Sequence, residues 1–534
     1  MQFRSDLAKS APSNTEPFYR HLDQRFWWNE HLLKDLIDIR ADGYILPVMQ
    51  GYVEIEPCVI EEQSFEFTLI SRRSRDRSGL RYQRRGIDEH GNTANFVETE
   101  QLLRIVRHDS DHQVSFVQTR GSIPLFWSQS PYRLKPIPVM ERTEQENYQG
   151  FSSHFGMQRS RYGRQICINL VEQHGREQVA GSAYTRYIQK LNEPEIRYVE
   201  FDFHEQCKGM RYENIERLIK SLESPIQELG YCWLAPRNEG AANNRKDGES
   251  WERLYDQKGV IRTNCMDCLD RTNVVQSAIS RHVLNHQLLR LGIASFPDKG
   301  LSVYEEFENI FNHVWANNGD AISREYAGTS ALKGDFTRTG KRNLQGMIND
   351  ATNSVARMYQ NTFKDYFRQA AIDYLLGSAD LDVFKNLQTT AFGTAEAWVK
   401  IREAAIETSA EIVISPGEEV WQGWTFSNSG SNFGTAGDAS DASSTVFYDE
   451  KVVLLTERAL YICTYDYEME KVLEFWRLAL EKITGIDKGT YFLTAQDKTP
   501  QGQDPLENYG FAVMYRANAG GETLRVNSGS VRNR

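Results

Sequence analysis

The sequence predicts an α/β catalytic region running from Phe26 to about Leu376, followed by a smaller, mostly β domain. Three observations carry this. Short β-like runs such as GYILPVM, FEFTLISR, SFVQTR, QICINLV and RYVEFDF alternate with helical patterns over the first region. A Cys-x5-Arg-Thr segment lies between a strand-like and a helix-like run at residues 259–280. Further on, a second β-rich region is interrupted by a stretch of Ser, Gly, Asn, Ala and Asp at residues 425–445, too polar to pack a core.

Composition bounds the class. The 534 residues are 40% hydrophobic and 25% charged, a globular balance whose length suits about three domains or subdomains. No stretch approaches the ~20 continuous apolar residues needed to cross a bilayer, in line with a mean hydropathy of -0.57. The opening MQFRSDLAKSAPSNTEP lacks the apolar core of a secretory signal, so cytosolic residence is expected. Seven scattered cysteines, an odd number, argue against a disulfide framework and for buried small side chains. The formal charge of -11 argues against a nucleic-acid partner. Against that acidic background Arg72, Arg73, Arg75, Arg77, Arg81, Arg84 and Arg85 form a cluster. It reads as a solvated cationic face, able to attract anionic lipid at about 1 kcal/mol per basic residue.

The expected organisation is a catalytic part over residues 1–377, a helical connector over 378–418 and a β domain over 419–527. In the connector Ala397, Ile401, Ala404 and Ala405 recur near helical spacing. The 425–445 stretch, flanked by WQGWTF and TVFYDE, is expected to be a disordered loop joining two strands of one domain. Trp421, Trp424 and Trp476 of that domain read as core and interface packing.

The chemistry concentrates in GVIRTNCMDCLDRTNVVQSAIS. Gly259, Val260 and Ile261 look like a strand end. Val275, Ala278, Ile279, Val283 and Leu284 recur at helical spacing, so Cys265 to Arg271 fall on a strand-loop-helix junction. Such a loop points the backbone N–H groups of Met266, Cys268 and Leu269, with those of the helix's first turn, at an anion. The same field favours a thiolate at Cys265, because neighbouring cations and helix N-termini lower a cysteine from ~8.5 to roughly 3.5–7.5. Arg271, a forked and permanent cation, can hold two phosphoryl oxygens. Thr272 can hydrogen-bond the sulfur. Asp267 and Asp270 are the nearest carboxyls for protonating a leaving oxygen, and the sequence does not choose between them. No metal or cofactor is required. A rival reading makes Cys265 and Cys268 half a zinc site, but that needs a second ligand pair, and no other Cys or His pair of comparable spacing stands out. A redox dithiol lacks a thioredoxin-like setting, and a purely structural pair of buried cysteines is a further alternative.

RTNCMDCLDRTNVVQ resembles the signature loop of the Sac family of phosphoinositide phosphatases. The resemblance extends to FWWNEHLL, LISRRSRDRSGLRYQRRGIDEHGNTANFVETEQ, FVQTRGSIPLFWSQ and RYVEFDFHEQCKGMRYENI upstream, and to VWANNGDAISREYAGTSALKGDFTRTGKR and FRQAAIDYLLG downstream. It implies a Sac catalytic fold acting on membrane phosphoinositides. Cys265, Arg271 and the loop residues between them fall on the family's active-site positions. It also implies an amino-terminal β-rich subdomain ahead of the catalytic part, which this sequence starts too late to include. The tail is similar to the PH-like homology domain that follows the Sac domain in one branch of the family. That implies dimerisation through the tail, peripheral association with endosomal or other endomembranes, and a preference for the 4-phosphate. The rival class is a dimerising membrane scaffold with a silent phosphatase module.

Other residues are weaker candidates. Lys333, Arg338 and Lys341, with Arg342, lie among small and hydroxylated residues, as in a phosphate-facing loop. Asp202 and His204 of FDFH can support the site, or fill a satisfied core role.

Overall fold

A computed structural model describes residues 17–107, 110–129, 137–208, 211, 213–236, 251–295, 300–331, 365–384, 395–415, 417–427, 450–466, 471–490, 509–516 and 523–528. The chain divides into two compact units, Met1–Leu387 and Gln388–Arg534.

The first unit is organised by a nine-stranded mixed sheet. Strands β1 (Gly51–Ile60), β2 (Gln63–Arg73), β3 (Val97–Arg107) and β4 (Ser110–Arg120) run antiparallel to one another. β5 (Trp127–Ser128) and β6 (Val139–Met140) form a separate ribbon. β7 (Arg164–Asn169), β8 (Ile196–Glu200), β9 (Cys232–Pro236), β10 (Trp251–Tyr255) and β11 (Gly259–Asn264) complete the large sheet. Its order is β1, β2, β3, β4, β11, β7, β8, with β9 beside β4 and β10 beside β9. β11 is parallel to both β4 and β7, so the carboxyl ends of three neighbouring strands open on the same edge. In an open α/β sheet that edge is where ligands bind.

Nine α-helices among the described residues accompany the strands of this unit: α1 (Lys34–Asp38), α2 (Glu144–Tyr162), α3 (Gln178–Leu191), α4 (Phe203–Gln206), α5 (Glu213–Ser221), α6 (Glu223–Leu229), α7 (Asp270–Arg290), α8 (Glu305–Ala327) and α9 (Asp365–Leu375). The period of two in a strand assigns β7 to both faces of the sheet. Ile166 and Ile168 join Leu218, Val275, Ile279, Leu288, Phe311 and Trp315 in one core, whereas Cys167 joins Phe151, Phe155, Tyr184 and Ile188 in another. Each such large apolar side chain contributes about 1.5–3 kcal/mol on burial. Every residue of β11 is buried, as expected of a strand between two parallel neighbours. Gly259 opens it because a Cβ there would lie 2.2 Å from the Arg164 carbonyl oxygen and 2.7 Å from Leu229. Thr143 and Glu146 close a reciprocal capping box at the start of α2.

The second unit pairs a helix with two small sheets. α10 (Ala395–Val413) packs on the sheet of β12 (Val420–Ser427), β13 (Glu450–Thr456), β14 (Ala459–Asp466) and β15 (Lys471–Ala479). A second sheet holds β16 (Ile483–Thr490), β17 (Tyr509–Arg516) and β18 (Thr523–Ser528). Alternation again sorts the core: Val452 and Leu454 share a cluster with Ala405 and Val413 of α10, while Val453 shares one with Val513 and Tyr515 of β17.

Four expectations change. The helix expected as a connector belongs to the second unit, where its Ala405 and Val413 share an apolar cluster with residues of β13 and β14. Thr425, Phe426 and Ser427, expected at the front of a disordered loop, are in β12, where Thr425 pairs with Val452 and Phe426 is buried. The remainder of that stretch lies outside the described residues. Trp424 packs in a core cluster, but Trp421 and Trp476 are exposed.

The largest change concerns the arginine cluster, which is no solvated face. Arg73 and Arg85 are buried. Arg72 pairs with Glu98 and Glu100, Arg75 with Glu30, Arg84 with Asp373, and both Arg81 and Arg85 with Asp267. Arg77 donates to the Arg85 carbonyl oxygen. Burying a guanidinium is tolerated only with such partners, so the folded chain uses these cations internally. No helix among the described residues is long and apolar enough to cross a membrane.

Candidate active site

Cys265 follows the last residue of β11 and α7 begins at Asp270, so the Cys265–Leu269 loop turns directly from strand to helix. The carboxyl ends of β4 and β7 flank it. Arg120 ends β4, and the carbonyl oxygen of the next residue, Gly121, accepts from the Cys268 thiol at 3.0 Å. Beyond β7, Leu170 donates its N–H to the Asn264 carbonyl oxygen at 2.8 Å.

Inside the loop the donors converge on the Cys265 sulfur. The Cys268 N–H reaches it at 2.9 Å and the Thr272 hydroxyl at 3.4 Å. Cys268 achieves this with a left-handed backbone, φ +54°, a conformation that costs a non-glycine residue of order 1 kcal/mol. Burial pushes the Cys265 thiol up, but the contact with Cys268, the charge of Arg271 and the Thr272 hydroxyl together outweigh it, bringing the group down to about 6. Cys268 goes the other way: burial and the neighbouring Cys265 thiolate hold it well above the ordinary thiol range. Of the two cysteines, one is set up as a thiolate and the other as a neutral donor.

Asp267 has a different role from the one its position in the loop suggests. Burial opposes its charge, yet Arg81 at 2.5 Å and Arg85 at 2.7 Å hold it far below the usual carboxylate range. A carboxylate held ionised in this way has no proton to donate. Arg85 also donates to the Met266 carbonyl oxygen at 2.9 Å, and Asn95 to that of Asp267 at 3.0 Å. Asp267 is thus the anchor by which β-sheet loops grip the Cys265 loop. Asp270 occupies the first residue of α7 and is partly exposed. Met266 and Leu269 are buried, each packed into a separate apolar cluster.

Arg271 reaches out of the loop. Its two terminal nitrogens meet the Glu177 carboxylate at 2.7 Å each, and Nη1 also lies 3.4 Å from the Leu170 carbonyl oxygen. This fork-to-fork pair presents the geometry a phosphate would use. Arg120, fully buried, is a second cation behind the sulfur. Burial pulls its guanidinium down to about 10 against the thiols of Cys268 and Cys265 and the Asp270 carboxylate, which leaves it charged at neutral pH. Its Nε and Nη2 have no hydrogen-bond partner among the described residues.

Glu177, Arg120 and the Arg81–Arg85 clamp were missed as site residues. Glu177 carries no motif at all, whereas Arg120 stands in QTRGSIP and the two arginines in SGLRYQRRG, segments already singled out. Lys333, Arg338 and Lys341, with Arg342, lie outside the described residues. Asp202 is capped into the scaffold, accepting from the Gln173 and Glu205 N–H groups at 2.8 and 3.0 Å, while His204 is exposed.

Comparison with known proteins identifies the family. The SacI homology domain model matches residues 2–208, and the inositol phosphatase model hSac2 matches residues 394–516. Phosphatidylinositide phosphatase SAC2 of Danio rerio is 38% identical over 524 residues, covering 92% of this chain and 44% of that protein. Its Homo sapiens counterpart is 39% identical over 508 residues, covering 89% and 42%. Phosphatidylinositol-3-phosphatase SAC1-A of Danio rerio is 40% identical over 378 residues, covering 69% of this chain and 61% of that protein. The chain belongs to the Sac-domain phosphoinositide phosphatase family, and it spans less than half the length of the SAC2 relatives it matches.

Proposed function

We propose that this chain hydrolyses a phosphate monoester of a phosphoinositide lipid through a cysteinyl-phosphate intermediate. The observation that carries the reading is the Cys265 thiol, brought down to about 6 at the end of β11 by donors from the following loop and helix. The Cys265 thiolate attacks phosphorus in line, the phosphorus–oxygen bond to the inositol breaks, and the leaving oxygen takes a proton. With Asp267 tied to Arg81 and Arg85, Asp270, the first residue of α7, is the remaining candidate of the two for that proton. Water then attacks the phosphorus, releasing phosphate and restoring the thiolate. Arg271 exchanges Glu177 for the equatorial oxygens, and the loop N–H groups of Met266, Cys268 and Leu269, in the P-loop manner, take the rest.

The 4-phosphate of phosphatidylinositol 4-phosphate is the proposed substrate position, on the family resemblance of the tail. The relatives' names keep the 3-phosphate as an alternative, and the 5-phosphate is a third. Phosphate release from short-chain lipids tests both points. Cys265→Ser is expected to reduce release by about a thousandfold or more. A full-length folded chain that releases no phosphate points to the scaffold instead, and equal rates on 3-, 4- and 5-phosphates overturn the positional reading.

Peripheral endomembrane binding and pairing of two copies through a PH-like second unit are further parts of the proposal. Among the described residues β15 is the edge strand of its sheet and exposes Leu473, Phe475 and Trp476, apolar side chains that a second copy would cover. In light scattering a dimer that Phe475→Lys converts to monomer supports this; a monomeric parent chain refutes it.

A further inference from the structure

The far end of α7 carries a cluster of side chains that the reaction does not use. His282 and His286 are four residues apart, so they project from adjacent turns of one helical face, with ring centroids 4.8 Å apart. Glu223, the first residue of α6, reaches the same place. One ligand atom from each of the three lies within 4.8 Å of the other two. Both imidazoles are partly buried and Glu223 is exposed. Nε2 of His282 is buried and has no hydrogen-bond partner among the described residues, so the cluster holds a polar nitrogen with nothing to meet it.

We propose that Glu223, His282 and His286 form a binding site for one divalent transition-metal cation of the zinc class. The donor set selects the ion. Imidazole nitrogens suit zinc and its first-row neighbours, whereas magnesium and calcium take oxygen ligands throughout. Two histidines one helical turn apart form a recurrent half-site for zinc, and a carboxylate from a second element supplies the third ligand. Zinc–ligand bonds of about 2.0–2.2 Å set neighbouring ligand atoms roughly 3.4 Å apart in a tetrahedron. The cluster is therefore open by at most about 1.4 Å, a gap within reach of the exposed Glu223 side chain. Solvent takes the fourth position.

The ion would be structural. His282 lies far along α7 from Asp270, roughly 18 Å at the rise of an α-helix, too far to touch the phosphoryl group. It would tie α6 to α7, the helix whose first turn carries Arg271 and Thr272. Metal affinity would then appear as resistance to unfolding, with the chemical step unchanged.

Zinc titration of the full chain, after chelator treatment and dialysis, tests this by calorimetry and by thermal unfolding. One zinc per chain is expected at micromolar affinity, with saturation raising the unfolding midpoint by about 5 °C. Glu223→Gln should weaken binding by about tenfold, and His286→Ala should abolish it. Both positions are partly or fully exposed, and cooperative unfolding of each variant in chelator verifies that it is folded. Cobalt loading gives an independent readout, with visible bands of tetrahedral nitrogen–oxygen coordination in the parent chain and none in His286→Ala. Phosphate release in chelator should be equal for the parent chain and His286→Ala. The proposal is overturned if His286→Ala binds zinc as tightly as the parent chain, or if the parent chain takes up no zinc at a concentration well above micromolar. Neither result bears on the phosphatase reading, which rests on other residues.

Discussion

Arg271 and the pair Arg81 and Arg85 are all cations facing carboxylates across the same loop, yet they do opposite things. Arg85 keeps only 2% of its side chain exposed and shares Asp267 with Arg81, while also holding the Met266 carbonyl oxygen. Arg271 and Glu177, each 18% exposed, are about as exposed as Asp267 at 19%, but their further contacts, to the Leu170 carbonyl oxygen and from the Glu172 N–H, fix the segment after β7 and not the Cys265 loop. The first arrangement is a rivet. The second is a placeholder, in which a carboxylate occupies the fork that a phosphate would take. What separates them is what the partner bridges: Asp267 joins two guanidinium groups, one of which also grips the Met266 carbonyl oxygen, whereas Glu177 fills a single fork, the one a phosphate would take.

Breaking the rivet should have the larger effect on the fold. Asp267→Asn leaves two guanidinium groups in a largely buried place without their counter-charge, a loss of about 3 kcal/mol. Denaturant unfolding should register it. If stability is unchanged while phosphate release collapses, Asp267 is the proton donor and the contrast drawn above is wrong.

The thiols sharpen the same comparison. The folded-state Cys265 thiol is lowered, so its thiolate is present above about 6 and is lost as pH falls through that value. Alkylation of Cys265 by iodoacetamide should rise through pH of about 6 and then level off, whereas Cys268, held protonated, should stay unlabelled across that range. A single rise near the ordinary thiol value would remove the electrostatic account of the loop.

Removing the placeholder should give the smallest change. Glu177→Gln deletes one bidentate pair, against the two partners Asp267 holds, a loss of roughly 1–2 kcal/mol, and frees Arg271 for phosphate. KM should fall by up to about fivefold with little change in kcat. A rise in KM would mean that Glu177 orients Arg271 for substrate.

The reach of sequence reasoning differs from residue to residue. The strand before Cys265 and the helix after it were legible because Val275, Ile279 and Val283 keep helical spacing, and the contact of Thr272 with the sulfur follows from its place on the first turn of that helix. The arginine cluster was misread because composition records a cation without its partner. Glu98, Glu100 and Asp373 come from other strands and helices, and only pairing of β2 with β3 sets Arg72 opposite Glu98. The proposed metal site shows the same limit: its third ligand, Glu223, comes from α6, and nothing in the sequence sets it beside His282 and His286.

By itself the sequence determined what is local: a strand, a tight loop and a helix around Cys265, the two-residue alternation of the strands, and a family signature. Backbone dihedrals and side-chain periodicity act over a few residues, so neighbours suffice to read them. Only the tertiary structure decided which of the nearby carboxylates is shared by two arginines, which buried cation acts on the thiols and which fork is occupied by Glu177. Charge interactions depend on distance and burial, and both are set by parallel packing of β11 between β4 and β7, strands far apart in the chain.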